Sequence, residues 1–325
     1  MRVLLSSYGG QIAVFALEEQ NLRPIGPPLR TPAPSFLAVH PRLSVVYSVS
    51  EVDDGAVEAF RLDDGFAPAG RLSTGGSQPC HLAVSPNGHH LACANYGSGN
   101  VAVFSVEPDG ALGRRTDLVQ HSGSGPRADR QEGPHAHQVT VRDDSVSAVD
   151  LGCDAIFHYG LSADGRLTQR DITHAEPGSG PRHLVTHPSG LHFVANELAS
   201  TVSTYDASFQ PLESRPATLV SAEVDNYPSE LALSPDGRFL YVANRGNDSV
   251  TTFAVGAAGL TPVDEIATGG AWPRHLAVVD DTLLVANQHS GTITTLQLDR
   301  ESGVPRNAKA VVELEGPACI LPLRR

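Results

Sequence analysis

The chain is 325 residues long with a formal charge of −13, and 40% of it is hydrophobic, enough for a sizeable core. This acidic balance argues against a general nucleic-acid binder, which presents a basic face. No run approaches the roughly 18–20 apolar residues of a membrane-spanning helix, and Met1 to Tyr8 turns polar too early for a secretory leader. The expectation is a soluble, cytoplasmic protein with neither a nucleic-acid nor a membrane partner. The sequence leaves its oligomeric state open.

In chain order the protein starts on a short strand, Val3 to Ser7. It then repeats one pattern: a proline, two variable residues, an apolar strand, often Pro-x-Gly, a second strand, then Asn and a turn. The copies begin at Pro34, Pro79, Pro134, Pro181, Pro228, Pro273 and Pro317, spaced by 45, 55, 47, 47, 45 and 44 residues. An aromatic or leucine closes the strand after each turn: Phe15, Phe60, Phe104, Tyr159, Tyr205, Phe253 and Leu296. With 31 Gly and 24 Pro, the composition suits many short strands joined by turns. Asn87-Gly88 and Asp236-Gly237 are hairpin signals between first and second strands.

A period near 46 residues predicts an all-β fold, a seven-bladed β-propeller built as a single domain over residues 1–325. The chain begins with a second strand and ends with an isolated first strand, Cys319 to Pro322. The C-terminal inner strand is therefore expected to pair with the N-terminal strands, closing the ring without an open edge. Cys80, Cys93, Cys153 and Cys319 show no CxxC pair or zinc-finger spacing and read as buried free thiols.

In an antiparallel pair, the start of the first strand and the end of the second share one rim. Residues after the repeat prolines, including His135, Arg182 and Arg274, should converge there with Tyr8, Tyr96, Glu197, Arg245 and Gln288 from the second-strand ends. Arg182, Arg245 and Arg274 on one rim of an acidic protein point to an anionic ligand, a carboxylate or phosphate. The alternative is that each pairs with a neighbouring acid, Glu197 or Glu230. His81, His183 and His275 recur at one register and read as structural, each hydrogen-bonded to a neighbouring blade.

His135 breaks that pattern and reads as the functional histidine, since a neutral imidazole near its ordinary pKa of ~6.5 takes a proton from water. His137 is either a buried hydrogen-bonded residue or a second site residue. The pair lacks a third ligand, so no metal and no cofactor is expected. The long spacing before Pro134 marks an insertion, residues 121–133, in which Arg127 and Arg130 add positive charge beside the proposed site. Residues 122–125 (SGSG) and 178–180 (GSG) are candidates to present backbone N–H groups to a phosphate.

Arg130-Gln131-Glu132-Gly133-Pro134-His135-Ala136-His137 resembles the RQEGPHAH stretch of the seven-bladed lactonase family. That family includes cycloisomerase-type 6-phosphogluconolactonases and fungal 3-carboxy-cis,cis-muconate lactonising enzymes. GSGPRHL at 178–184, Asn196-Glu197-Leu198, Asn244-Arg245-Gly246 and Trp272-Pro273-Arg274 resemble further blocks of it. The resemblance implies a lactone-processing site built from His135, Arg182, Glu197 and Arg245 with Arg274 nearby. Hydrolysis of an anionic sugar lactone such as 6-phosphogluconolactone is the leading expectation.

In that expectation His135 is the general base and Arg182 stabilises the oxyanion. Glu197 orients His135 or protonates the leaving alkoxide. Arg245 and Arg274 hold the substrate's phosphate or carboxylate, with His137, Arg130 and Gln288 as further substrate contacts. A muconate cycloisomerase would use the same residues, and hydrolysis of another small lactone is a further alternative. A non-catalytic interaction scaffold would instead show an apolar, aromatic rim.

Overall fold

The structure, a computed structural model, describes residues 1–220, 224–257 and 259–323. Among these residues, strands form seven four-stranded antiparallel sheets, the seven blades of a β-propeller. A single turn of 3-10 helix, Leu62–Asp64, is the departure from strand and loop among them. The residues group into two compact units, 1–28 with 182–325 and 29–181. The first holds four blades and the second three.

The repeat pattern has a physical basis in each blade. Inner strands such as Pro181–Thr186 and Pro273–Val279 start on the repeat proline, where the missing N–H leaves no ladder bond unmade. The seven marker aromatics and leucines lie in third strands and are all buried, with Phe104, Phe253 and Leu296 fully so. The repeat asparagine ties the second strand to the third. The Asn196 Nδ2 donates to Ser203 Oγ at 2.7 Å, Asn244 Nδ2 to Thr251 Oγ1 at 2.9 Å, and Asn287 Nδ2 to Thr294 Oγ1 at 2.9 Å. The Gly88 and Gly237 turns take φ of 74° and 75°, open to glycine without strain.

In the four-blade unit, the terminal strands Arg2–Ser7 and Pro317–Leu323 pair antiparallel, with Leu5 opposite Ile320 and Val3 opposite Pro322. The blade order is last strand, first, second, third, as the incomplete repeats at the two ends predict. Leu4 and Leu5 are fully buried here and Ile320 nearly so. Three of the four thiols are buried, but Cys153 is only half-buried, because it stands in a turn beside the 121–133 loop rather than in a strand.

Truncating a buried leucine removes its transfer energy and leaves a cavity. Leu5→Ala should therefore cost about 2–5 kcal/mol, read as a lowered urea midpoint with an unchanged m-value.

Candidate active site

Within the four-blade unit, Arg182 follows the repeat proline of its inner strand, Pro181–Thr186, and is 2% exposed. Its Nη1 donates to the Ser229 carbonyl at 2.7 Å, and its Nε lies 3.2 Å from Glu197 Oε2. Arg245 ends the strand Phe239–Arg245, donates from Nη2 to the same Glu197 oxygen at 2.6 Å and from Nε to the Tyr227 carbonyl at 3.0 Å. One carboxylate thus serves two guanidiniums. Arg274 is half-buried with its Cζ 5.0 Å from the Tyr8 ring centroid, a cation–π distance.

Arg182 and Arg245 are thus paired with a neighbouring acid, and the two share Glu197. Burial, with the Arg245 and Arg274 charges, pulls Arg182 down to about 9. It stays protonated at neutral pH, yet an added anion would relieve the repulsion.

A second layer sits beside it. The Glu230 carboxylate accepts from His183 Nδ1 at 3.0 Å, and its other oxygen lies 3.2 Å from His275 Nε2. The Ile320 N–H points at His275 Nδ1 at 3.4 Å, so Nε2 carries the ring hydrogen toward Glu230. Burial holds both histidines below the ordinary imidazole range and pushes the Glu230 carboxyl up. These histidines are structural ties to the next blade, as their recurring register predicts. In the three-blade unit, His81 plays the same part toward the Val139 N–H at 3.5 Å.

Also in the three-blade unit, His135 has a partly buried side chain just ahead of the strand Ala136–Arg142. Its backbone N–H donates to Asp150 Oδ1 at 2.8 Å, and its ring stacks on Tyr96 with centroids 4.6 Å apart. The Nδ1 lies 3.0 Å from the Tyr96 carbonyl. A carbonyl only accepts, so Nδ1 carries a hydrogen. The other ring nitrogen, Nε2, is 3.2 Å from Glu132 Oε1, a carboxylate oxygen that also only accepts. His137 is buried on the strand with its ring edge-on to Tyr96 at 5.6 Å.

The 121–133 loop is fixed by Gln131, whose side chain is fully buried and donates to the Leu151 carbonyl at 2.9 Å and Asp154 Oδ1 at 2.8 Å. Arg127 Nε donates to the Gly178 carbonyl at 3.0 Å. Asp154 also corrects the expectation for the glycine–serine loops. Its carboxylate accepts from Gly178 N at 2.6 Å and Gly180 N at 2.7 Å, so an internal anion already takes the amides that a phosphate would need. Gly125 N is likewise used, donating to the Gln131 carbonyl at 3.1 Å.

Two further sequence candidates are Arg130 and Gln288. Arg130 is half-buried with its N–H donated to the Arg127 carbonyl at 2.9 Å. Gln288 donates its N–H to the Trp272 carbonyl at 2.9 Å, and its Oε1 is buried without a donor among the described residues. Sequence reasoning gave no role to Glu132, Asp150 or Trp272. Glu132 lies three residues before His135 inside the RQEGPHAH stretch, and that spacing was the available signal. Asp150, fully buried between the His135 N–H and His121 Nδ1 at 2.6 Å, had none.

The chain is similar to known proteins over most of its length. The family model described as "Lactonase, 7-bladed beta-propeller" matches residues 2–322. A 6-phosphogluconolactonase of Bacillus subtilis is 34% identical over 304 residues, 88% of this chain and 86% of that one. A crystal structure of a Lactobacillus plantarum protein superposes with a TM-score of 0.93 at 31% identity, covering 99% of both chains. A periplasmic gluconolactonase of Pseudomonas aeruginosa gives 0.90 at 27% identity, covering 98% of each. Blade number, strand closure and sequence likeness converge, and the chain belongs to the seven-bladed β-propeller lactonase family.

Proposed function

We propose that this lactone hydrolase opens an anionic sugar lactone, 6-phosphogluconolactone, to 6-phosphogluconate. The observation that carries the reading is the burial of Arg182 and Arg245 against the single Glu197 carboxylate, with Arg274 adding a further charge. His183 and His275 are held neutral and add none. A phosphate or carboxylate supplies the missing negative charge.

The sequence resemblance implies His135 as the general base that takes a proton from water and returns it to the leaving alkoxide. Within the four-blade unit, Arg182 is the donor proposed for the oxyanion of the opening lactone, a contribution of about 3 kcal/mol for one well-placed donor. Glu197 is occupied as an acceptor by two guanidiniums, so its part is to orient them rather than to give a proton. Arg245 and Arg274 hold the phosphate. The single family match over residues 2–322 supports one domain, and four free thiols suit a reducing cytoplasm. Among the described residues no helix is long and apolar enough to cross a membrane.

The direct test supplies purified protein with 6-phosphogluconolactone and with 3-carboxymuconate in parallel and follows acid release and ring closure. Turnover of the first alone is expected; turnover of the second alone would overturn the assignment. His135→Ala should lower kcat by at least about a hundredfold, and wild-type kcat in that variant would remove His135 from the chemistry.

Glu197→Gln leaves two buried guanidiniums without their counter-charge, so it should destabilise the protein by about 3–5 kcal/mol. Added inorganic phosphate should restore more thermal stability to this variant than to the wild type.

The buried histidines set a pH window. Burial holds His275 at about 4 in the folded state against 6.5 when unfolded. Below about pH 6.5 the unfolded chain binds more protons, so stability falls as pH drops toward 4. His275→Gln should flatten that part of the curve in urea midpoints measured from neutral to acid pH.

A further inference from the structure

Trp272 is the sole tryptophan of the sequence and stands immediately before the repeat proline Pro273. Its φ is +63°, close to the +60° and +58° of Gly180 and Gly316, which precede two other repeat prolines. A Cβ in this left-handed region crowds the following carbonyl, so glycine is the residue the turn prefers. Ala33 and Gln78 show that the turn accepts a side chain, at φ of 39° and 51°. Trp272 places the bulkiest one there.

Two bonds hold the strained backbone: the Trp272 N–H donates to Asp248 Oδ1 at 2.7 Å, and its carbonyl accepts from Gln288 N at 2.9 Å. Strain that the surroundings over-determine is a mark of functional positions.

The side chain explains what the strain secures. The Arg245 Cζ lies 5.4 Å from the indole centroid, within cation–π reach. The His289 ring stacks on the indole at 4.7 Å with 12° between planes, and the Tyr227 ring lies 6.0 Å away. Arg245 is thus held by the Glu197 carboxylate, the Tyr227 carbonyl and an aromatic face.

We propose that Trp272 is a positioning residue of the substrate site, its indole fixing the Arg245 guanidinium in the orientation that receives the substrate's anionic group. The inference rests on the anion-binding role of Arg245 given above.

The test compares wild type, Trp272→Phe and Trp272→Gly with 6-phosphogluconolactone, and titrates wild-type tryptophan emission with 6-phosphogluconate. Glycine suits the φ of this turn, so Trp272→Gly should keep the far-UV circular dichroism of the wild type. Its KM should rise roughly tenfold, about 1.4 kcal/mol, with kcat changed far less, and Trp272→Phe should recover most of the loss. Wild-type emission should change saturably as 6-phosphogluconate binds, a measurement that needs no variant.

An unchanged KM in Trp272→Gly, or emission unmoved at saturating 6-phosphogluconate in an enzyme that hydrolyses the lactone, overturns the proposal. A wild type that neither hydrolyses the lactone nor binds 6-phosphogluconate overturns the functional reading and this inference with it.

Discussion

A polar group placed at the start of a buried inner strand must find its partner in the next blade, because water cannot reach it and an unmade bond is costly. In the four-blade unit this requirement is met step by step. Arg182 reaches the Ser229 carbonyl, and Ser229 Oγ reaches the Pro273 carbonyl at 2.6 Å. His183 meets Glu230, Glu230 meets His275, and His275 meets the Ile320 N–H of the closing strand. Packing alone would hold the apolar faces together. These ties fix the register of one blade on the next.

The same ties govern the charge. Burial holds the second-layer histidines below the ordinary imidazole range, so they add no positive charge beside the arginines at neutral pH. Glu197 is spent on holding two guanidiniums in place. In the functional reading proposed above, these guanidiniums are already held in place when the substrate's anionic group arrives. Preorganised charge of this kind acts without the reorganisation cost that water would impose.

The repeat, its β character and the closing of the first and last strands were legible in the sequence because each depends on spacing and on alternation. The repeated geometry of the turn explains why Asn recurs at 196, 244 and 287, each bonded to a Ser or Thr seven residues on. The rim arginines were legible because structure does not dictate those positions. Asp154 was not. Nothing local separates it from other turn aspartates, and only the approach of Gly178, far along the chain, reveals that it fills the place suggested for a phosphate. For Glu197 the sequence left two roles open, orienting His135 or protonating the alkoxide, and its contacts with two guanidiniums depend on residues far from it in the chain.

The pairing of Arg2–Ser7 with Pro317–Leu323 has a consequence for synthesis. Arg2–Ser7 leaves the ribosome well before its inner neighbour Pro317–Leu323 is translated. That blade must wait, with an unsatisfied ladder, while the strands between the two are made. During that interval its exposed edge is the place where a chaperone would bind or a stray strand would add, and nascent-chain length decides when the hazard ends.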